Sequence, residues 1–343
     1  MDRTVTLVIA SPIESYLVEQ IAALDARLDV VYRPDLIGRP RYPADHTPPV
    51  ERTEAQAGEW AAILARAEVL FDIDGPSASD LPRRAPRLRW IQASSSGVGQ
   101  WIRDLGLVDS PVVVTNAAGI HAEPLAEFVL LAVLHFAKHM PRMVAEQRAH
   151  RWERTAVEMV RGKTLGIIGM GRVGREMARL ASGVGLRVVG ARRTATSGAV
   201  EEFPYELRPL ERLHDLLAES HYLVLIVPLT PETRGLIGAA EIQAMRPGAV
   251  LINLARGPVV DEQALVAALR SGHLAGAALD VFTEEPLPTD SPFWDMPNVL
   301  VTPHSMSTVP EENQRLVDLF CDNLRRYLAG EYLLNVVDKM RGY

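Results

Sequence analysis

Cysteine is nearly absent from this chain of 343 residues: Cys321 stands alone, which excludes an internal disulfide and a cysteine-built metal cluster and fits a reducing compartment. Lysine is almost as rare, at Lys138, Lys163 and Lys339 only, whereas arginine is abundant and scattered. With a net charge of −7 and no basic block, the chain offers no general polyanion-binding surface, so neither DNA nor RNA is expected as a partner. No apolar run reaches the length of a membrane span, and the opening MDRTVTLVIASPI lacks the basic region and long apolar stretch of a secretion signal. These absences predict a cytoplasmic protein that does not engage a membrane. What remains, 48% hydrophobic and 23% charged residues, is an ordinary globular composition, long enough for two domains that each bury a core.

The most informative stretch is Gly162 to Arg193, GKTLGIIGMGRVGREMARLASGVGLRVVGARR. Thr164 to Ile168 is an apolar run of strand length, the glycines Gly169, Gly171 and Gly174 follow, an amphipathic helix is predicted from Arg175 to about Ser182, and Leu186 to Val189 is a second strand. In that order the first glycine permits the tight turn, the second lets backbone approach a pyrophosphate, and the third lets helix and strand pack closely. The turn through Arg172 and Val173 then aims free N–H groups and a positive dipole end at phosphates. Three glycines alone could mark ordinary turns; the complete βαβ unit is what points to a dinucleotide. NAD-binding units carry a carboxylate about 20 residues beyond the glycines to accept from the ribose 2′-OH. Here Arg192, Arg193 and Thr194 stand at that place, and a guanidinium suits a 2′-phosphate. NADP(H) is therefore expected in preference to NAD(H), with NAD(H) still possible; the alternative is that the two arginines are a solvated strand edge.

The rest of the chain alternates strands and helices, as a parallel doubly wound α/β sheet does. Strands are expected at 5–10, 30–32, 69–71, 88–92, 112–115, 223–227, 249–254, 276–281 and 299–302, with helices at 16–28, 60–67, 122–140, 241–245, 261–271 and 310–328. Pro34 to Glu54 has no periodicity and reads as an irregular surface insertion in which His46 is solvated. Ala93 to Gly99, just past a strand end, could present N–H groups to a ligand or be a plain turn. His135 and His139 are spaced as a helical metal pair would be, but no third ligand is near in sequence, and no metal is expected.

Arg256, Glu285 and His304 each follow a strand of the second half, where open α/β sheets bind ligands. An arginine can hold a carboxylate and polarise a carbonyl, a histidine can transfer a proton, and a carboxylate behind the histidine fixes its tautomer. On spacing alone each could instead be structural: a cap, a solvated loop residue, a hinge. The blocks that contain them, NLARGPVVDEQAL (253–265), ALDVFTEEPLP (278–288) and NVLVTPH (298–304), together with PLTPETRGLI (228–237), resemble the signature blocks of the D-isomer-specific 2-hydroxyacid dehydrogenases, glyoxylate/hydroxypyruvate reductases among them. The resemblance runs from about Leu88 to Val337. It implies a Rossmann nucleotide-binding domain inserted into a flavodoxin-like substrate domain, the former spanning 121–304 and the latter 1–120 with 305–343.

It also implies that hydride passes between the cofactor and C2 of a small 2-oxo or 2-hydroxy acid. Arg256 would orient the substrate, His304 would be its acid/base, and Glu285 the histidine's partner. Ser96 and Gly97 would hold the substrate carboxylate alongside Arg256 and His304. Pro228, Thr233, Leu254, Ala255, Asp280 and Ser307 would line the cofactor, Asp280 on its nicotinamide side, and a homodimer would form around Ala122 to Met140. Four places depart from the family pattern: Arg192 replaces the usual acid, Gly99 stands where many members have Asp, Ser305-Met306-Ser307 replaces common Gly and Ala, and 34–54 is long. A formate dehydrogenase-like enzyme and a dinucleotide-sensing corepressor relative are the rival readings.

Overall fold

The computed structural model describes residues 3–73, 80–193 and 205–342, and Thr194 lies outside them. The chain divides into two compact units, Met1–His121 with Thr308–Tyr343, and Ala122–Ser307.

The first unit runs β1 (Val5–Ile9), α1 (Ser15–Ala22), β2 (Leu28–Tyr32), α2 (Glu54–Arg66), β3 (Val69–Phe71), α3 (Leu81–Arg84), β4 (Trp90–Gln92), α4 (Gly99–Asp104) and β5 (Val113–Thr115). Its strands pair in parallel in the order β2-β1-β3-β4-β5, the flavodoxin-like arrangement. Because side chains alternate along a strand, the sheet feeds two cores. Val8, Leu70, Ile91 and Val114 pack on one face; Leu7, Ile9, Val69, Phe71 and Trp90 pack on the other against Leu316, Phe320 and Leu324 of the last helix of the chain.

The second unit contains α5 (Ala122–Ala137), α6 (Met140–Arg148), β6 (Thr164–Ile168), α7 (Arg172–Gly183), β7 (Arg187–Arg192), β8 (Tyr205–Pro209), α8 (Leu213–Glu219), β9 (Tyr222–Leu225), α9 (Ala239–Ala244), β10 (Ala249–Asn253), α10 (Glu262–Ser271), β11 (Leu274–Leu279) and β12 (Val299–Val301); α11 (Glu312–Ala329) returns to the first. Seven parallel strands run β12-β11-β10-β9-β6-β7-β8, so the order reverses between β6 and β9. That reversal opens a crevice at the strands' carboxyl ends, the Rossmann switch point. Helices α5 and α7 cover one face, α8, α9 and α10 the other. Burial on both faces is why the central strands β6, β9 and β10 read as continuous apolar runs.

Several expectations need correction. Helix α1 stops at Ala22, not Leu28, because the Asp25 carboxylate accepts the Arg27 N–H and guanidinium in a local turn and frees Leu28 to start β2. The helix expected over 122–140 breaks: His139 takes a left-handed φ of 52°, Pro141 sits in the first turn of α6, and the two pieces bend by 64°. His135 and His139 therefore share no helix face. No single helix among the described residues is long and apolar enough to cross a membrane. Helix α7 starts at Arg172, and β8 and α8 were not anticipated, since charged Glu206 and Arg208 alternate with Tyr205 and Leu207 on an edge strand.

The 34–54 segment has no regular element but is no loose insertion. Leu36 and Ile37 are buried, Asp45 takes the Arg41 guanidinium and the Arg41 and Thr47 N–H groups, and Arg52 stacks over Trp60 while bonding the Leu36 carbonyl. His46, expected in solvent, is 8% exposed. Gly99 is explained by packing, since a Cβ there would lie 2.8 Å from the Gly342 carbonyl oxygen; an Asp would not fit.

Candidate active site

The glycine turn after β6 is built as its spacing demands. Gly169 has φ +115° and a Cβ on it would meet the Ile226 carbonyl oxygen at 2.5 Å, while one on Gly174 would meet the Gly169 oxygen at 2.4 Å. Gly171 differs: a Cβ there meets nothing within 4 Å. Packing does not require that glycine, so the open approach it leaves is the feature a pyrophosphate would use. Gly171 is the N-cap of α7, so the positive end of the helix dipole, at the Arg172–Val173 turn, faces that open approach, as an anion would need. These residues fit a dinucleotide.

Around that turn the carboxyl edge of the sheet collects most of the other expected positions. Arg192 ends β7, half-buried, and exposed Arg193 follows. Past β9, Thr233 donates its hydroxyl to the Pro228 carbonyl at 2.7 Å and braces the 228–234 turn. In that turn the Thr230 hydroxyl and, more weakly, the Arg193 charge hold the Glu232 carboxyl below its usual range. Leu254 and Ala255 follow β10, where the buried Asn253 side chain accepts the Ala255 N–H and donates to the Arg256 carbonyl. Ser307 is half-buried beyond β12.

Arg256, Glu285 and His304 come together at this edge. His304 Nδ1 donates to Glu285 Oε2 at 2.7 Å, and Glu285 Oε1 accepts the Phe282 N–H at 2.9 Å, so the carboxylate is clamped and turns the imidazole's Nε2 outward. His304 keeps 41% of its side chain exposed. Burial pushes the Glu285 carboxyl up, but the bonds from His304 and Phe282, with the charges of His304 and Arg256, outweigh it and hold it below the usual carboxylate range. Burial pulls the Arg256 guanidinium down from its ordinary value, opposed by Glu285. Arg256 donates to the Ala255 carbonyl at 2.7 Å.

His304 has φ 51°, a left-handed conformation unfavourable for a non-glycine residue. Asp280, 3% exposed, holds it there: its carboxylate accepts the Ser305 and Met306 N–H groups at 3.0 and 3.3 Å and the Thr302 hydroxyl at 2.7 Å. Asp280 thus braces the turn that presents His304, a job its position in the sequence did not reveal. Gly257 was also missed. A Cβ there would sit 1.9 Å from the Phe282 carbonyl carbon, so the Arg256 loop can lie against the Glu285 loop only with glycine. Gly257→Ala is expected to cost at least about 3 kcal/mol, a Tm drop of several degrees by calorimetry; an unchanged Tm would show that the two loops can part freely.

In the first unit the loop past β4 is gripped by Asn116, whose amide donates to the Ser96 carbonyl at 3.0 Å. Gly97 N–H, expected to face a carboxylate, donates instead to Ser95 Oγ at 3.1 Å, while exposed Ser96 keeps its hydroxyl at the surface. Among the described residues no group of three His, Cys, Asp or Glu side chains could hold a metal ion.

The family model described as "D-isomer specific 2-hydroxyacid dehydrogenase, NAD binding domain" matches residues 130–305. A glyoxylate reductase of Thermococcus gammatolerans is 37% identical over 270 residues, 74% of this chain and 78% of that protein. The structure of a D-isomer specific 2-hydroxyacid dehydrogenase from Xanthobacter autotrophicus Py2, in complex with NADPH and MES, is similar with a TM-score of 0.80 and 35% identity, covering 99% of this chain and all of that one. An NADPH-dependent glyoxylate/hydroxypyruvate reductase from Sinorhizobium meliloti, in complex with NADP and sulfate, has a TM-score of 0.79 and 28% identity over 99% of this chain and all of that one.

Proposed function

Since the chain belongs to the D-isomer specific 2-hydroxyacid dehydrogenase family, and is thereby an NAD(P)-dependent 2-hydroxyacid dehydrogenase, we propose that it works as a reductase of small 2-oxo acids, preferring NADPH and forming the D-hydroxy acid. The observation that carries this reading is the clamped Glu285–His304 pair with Arg256 beside it, on the same sheet edge as the glycine turn. A nicotinamide bound there supplies the hydride. His304, its Nδ1–H spent on Glu285, gives the proton on Nε2 to the carbonyl oxygen as that oxygen gains charge. Arg256 holds the carboxylate and stabilises the developing alkoxide, its partial burial strengthening that field. Glu285 fixes the ring and balances the imidazolium before the proton leaves. Glyoxylate and hydroxypyruvate, for which the relatives are named, are the first substrates to try.

The first test is oxidation of NADPH and NADH with glyoxylate, hydroxypyruvate, pyruvate and bulkier 2-oxo acids. Arg192 at the end of β7 and Arg193 beyond it support the NADPH preference. Arg192→Asp should shift the ratio of kcat/KM for NADPH over NADH by about 10²-fold toward NADH, as a guanidinium–phosphate pair becomes a repulsion; an unchanged ratio would refute the cofactor reading.

Leu131, Met140, Val144, Trp152, Val157 and Met159 on the second unit leave large apolar side chains exposed, Trp152 at 95%. An apolar group of that kind supports a homodimer burying it, and a cytoplasmic setting suits the single cysteine.

A further inference from the structure

The first unit holds a row of five polar side chains that this reaction does not use, hydrogen-bonded to one another except between His46 Nε2 and Glu312. Ser11 Oγ lies 2.8 Å from His46 Nδ1, and His46 Nε2 is 3.7 Å from Glu312 Oε1. The same carboxylate oxygen is 3.1 Å from His121 Nε2, and His121 Nδ1 is 3.4 Å from Ser96 Oγ. His46, Glu312 and His121 are 8%, 7% and 12% exposed, so a carboxylate is buried between two imidazoles. Glu312 Oε2 is buried without a hydrogen-bond partner among the described residues. Ser96, at the far end, is the exposed member.

The chemistry of the link decides what Ser96 can do. A carboxylate only accepts, so His121 Nε2 carries a hydrogen toward Glu312. When His121 is neutral its Nδ1 is bare, the Ser96 O–H donates to it, and the hydroxyl shows lone pairs to anything beyond. When His121 holds a second proton, Nδ1–H donates to Ser96 Oγ and the hydroxyl hydrogen is free to donate to an anion. Gly97 N–H is already spent on Ser95 Oγ, and the exposed Ser96 hydroxyl is a further polar group the loop offers.

We propose that His121 is a positioning residue for substrate binding: the carboxylate of the 2-oxo acid, arriving at Ser96, is accompanied by one proton taken up by the His46–Glu312–His121 cluster. This rests on the function proposed above and on reading the 93–99 loop as the carboxylate holder. The other charged groups facing the cluster are Asp72, buried at the end of β3 and acting on His46, and Arg315, one turn along α11, which donates to the Ile120 carbonyl at 3.4 Å.

The test is the KM for glyoxylate as a function of pH at saturating cofactor. In the natural protein KM should rise with pH, approaching about tenfold per unit where one proton is taken up. His121→Gln should raise KM about tenfold at pH 6, keep kcat within about threefold, and flatten the pH dependence of KM. Ser96→Ala removes the surface end without touching the buried members. It should give the same loss, and the double variant should be no worse than either single one. Calorimetry of glyoxylate binding to the complex with oxidised cofactor, in two buffers of different ionisation heat, should count close to one proton taken up by the natural protein and none by either variant. A slope in KM that survives His121→Gln, a kcat that falls in step with 1/KM, or additive losses would overturn the inference. In each of those cases turnover by the natural protein remains, whereas failure to bind or reduce any 2-oxo acid would sink the function itself and this inference with it.

Discussion

Replacing His304 with alanine is expected to lower kcat about 10³–10⁴-fold for 2-oxo acid reduction, the upper range for losing a positioned general acid. The affinity for NADPH should stay within about threefold, because the glycine turn and the α7 N-terminus that suit the dinucleotide do not depend on the imidazole. Steady-state kinetics with fluorescence titration of NADPH separates the two quantities. If affinity collapses together with kcat, His304 is chiefly a structural member of the turn that Asp280 holds. Glu285→Gln probes the same pair more gently: an amide can still bond the ring but carries no charge, so a smaller loss confined to kcat is expected. The sign of the pH effect follows from the depressed Glu285 carboxyl. Its stabilising bonds are complete above the ordinary carboxylate range and are lost as pH falls through its lowered value, so any Glu285 contribution to stability disappears only on the acid side.

Arg256→Leu is expected to cost about 10²–10³-fold in kcat/KM, shared between KM and kcat, since in the proposed mechanism one guanidinium serves both the bound carboxylate and the charge that develops on the carbonyl oxygen. Arg256→Lys should recover only part of this: an ammonium cannot reproduce the planar fork. Free guanidinium added to the leucine variant offers an independent check, because partial rescue requires a vacated site of that shape. A loss below about tenfold would mean that Arg256 only braces its loop through the Ala255 carbonyl and takes no part in charge stabilisation.

The central strands of both parallel sheets were legible because they are buried on both faces, so the apolar runs that identify them are continuous. The glycine turn was legible because backbone conformation and close approach dictate residue type locally, as the contacts at Gly169 and Gly174 demonstrate. The edge strand β8 went unseen because half of it faces water and carries charge. The break between α5 and α6 was missed although Pro141 stood in the sequence, for the apolar content of the preceding helix masked it.

By itself, the sequence determined the alternation of strands and helices, the dinucleotide turn and the residue types past each strand, all of which depend on neighbours a few positions away. Only the tertiary structure decided that Glu285 is clamped from two sides, that Asp280 holds His304 in a left-handed turn, that Gly257 lets two loops touch, and that His46 is buried rather than solvated. His121 and Glu312 are 191 positions apart, and nothing near either residue announces the other. Such pairs form because the parallel sheets bring distant segments to one edge, where a buried polar group must find whatever partner the fold places within reach.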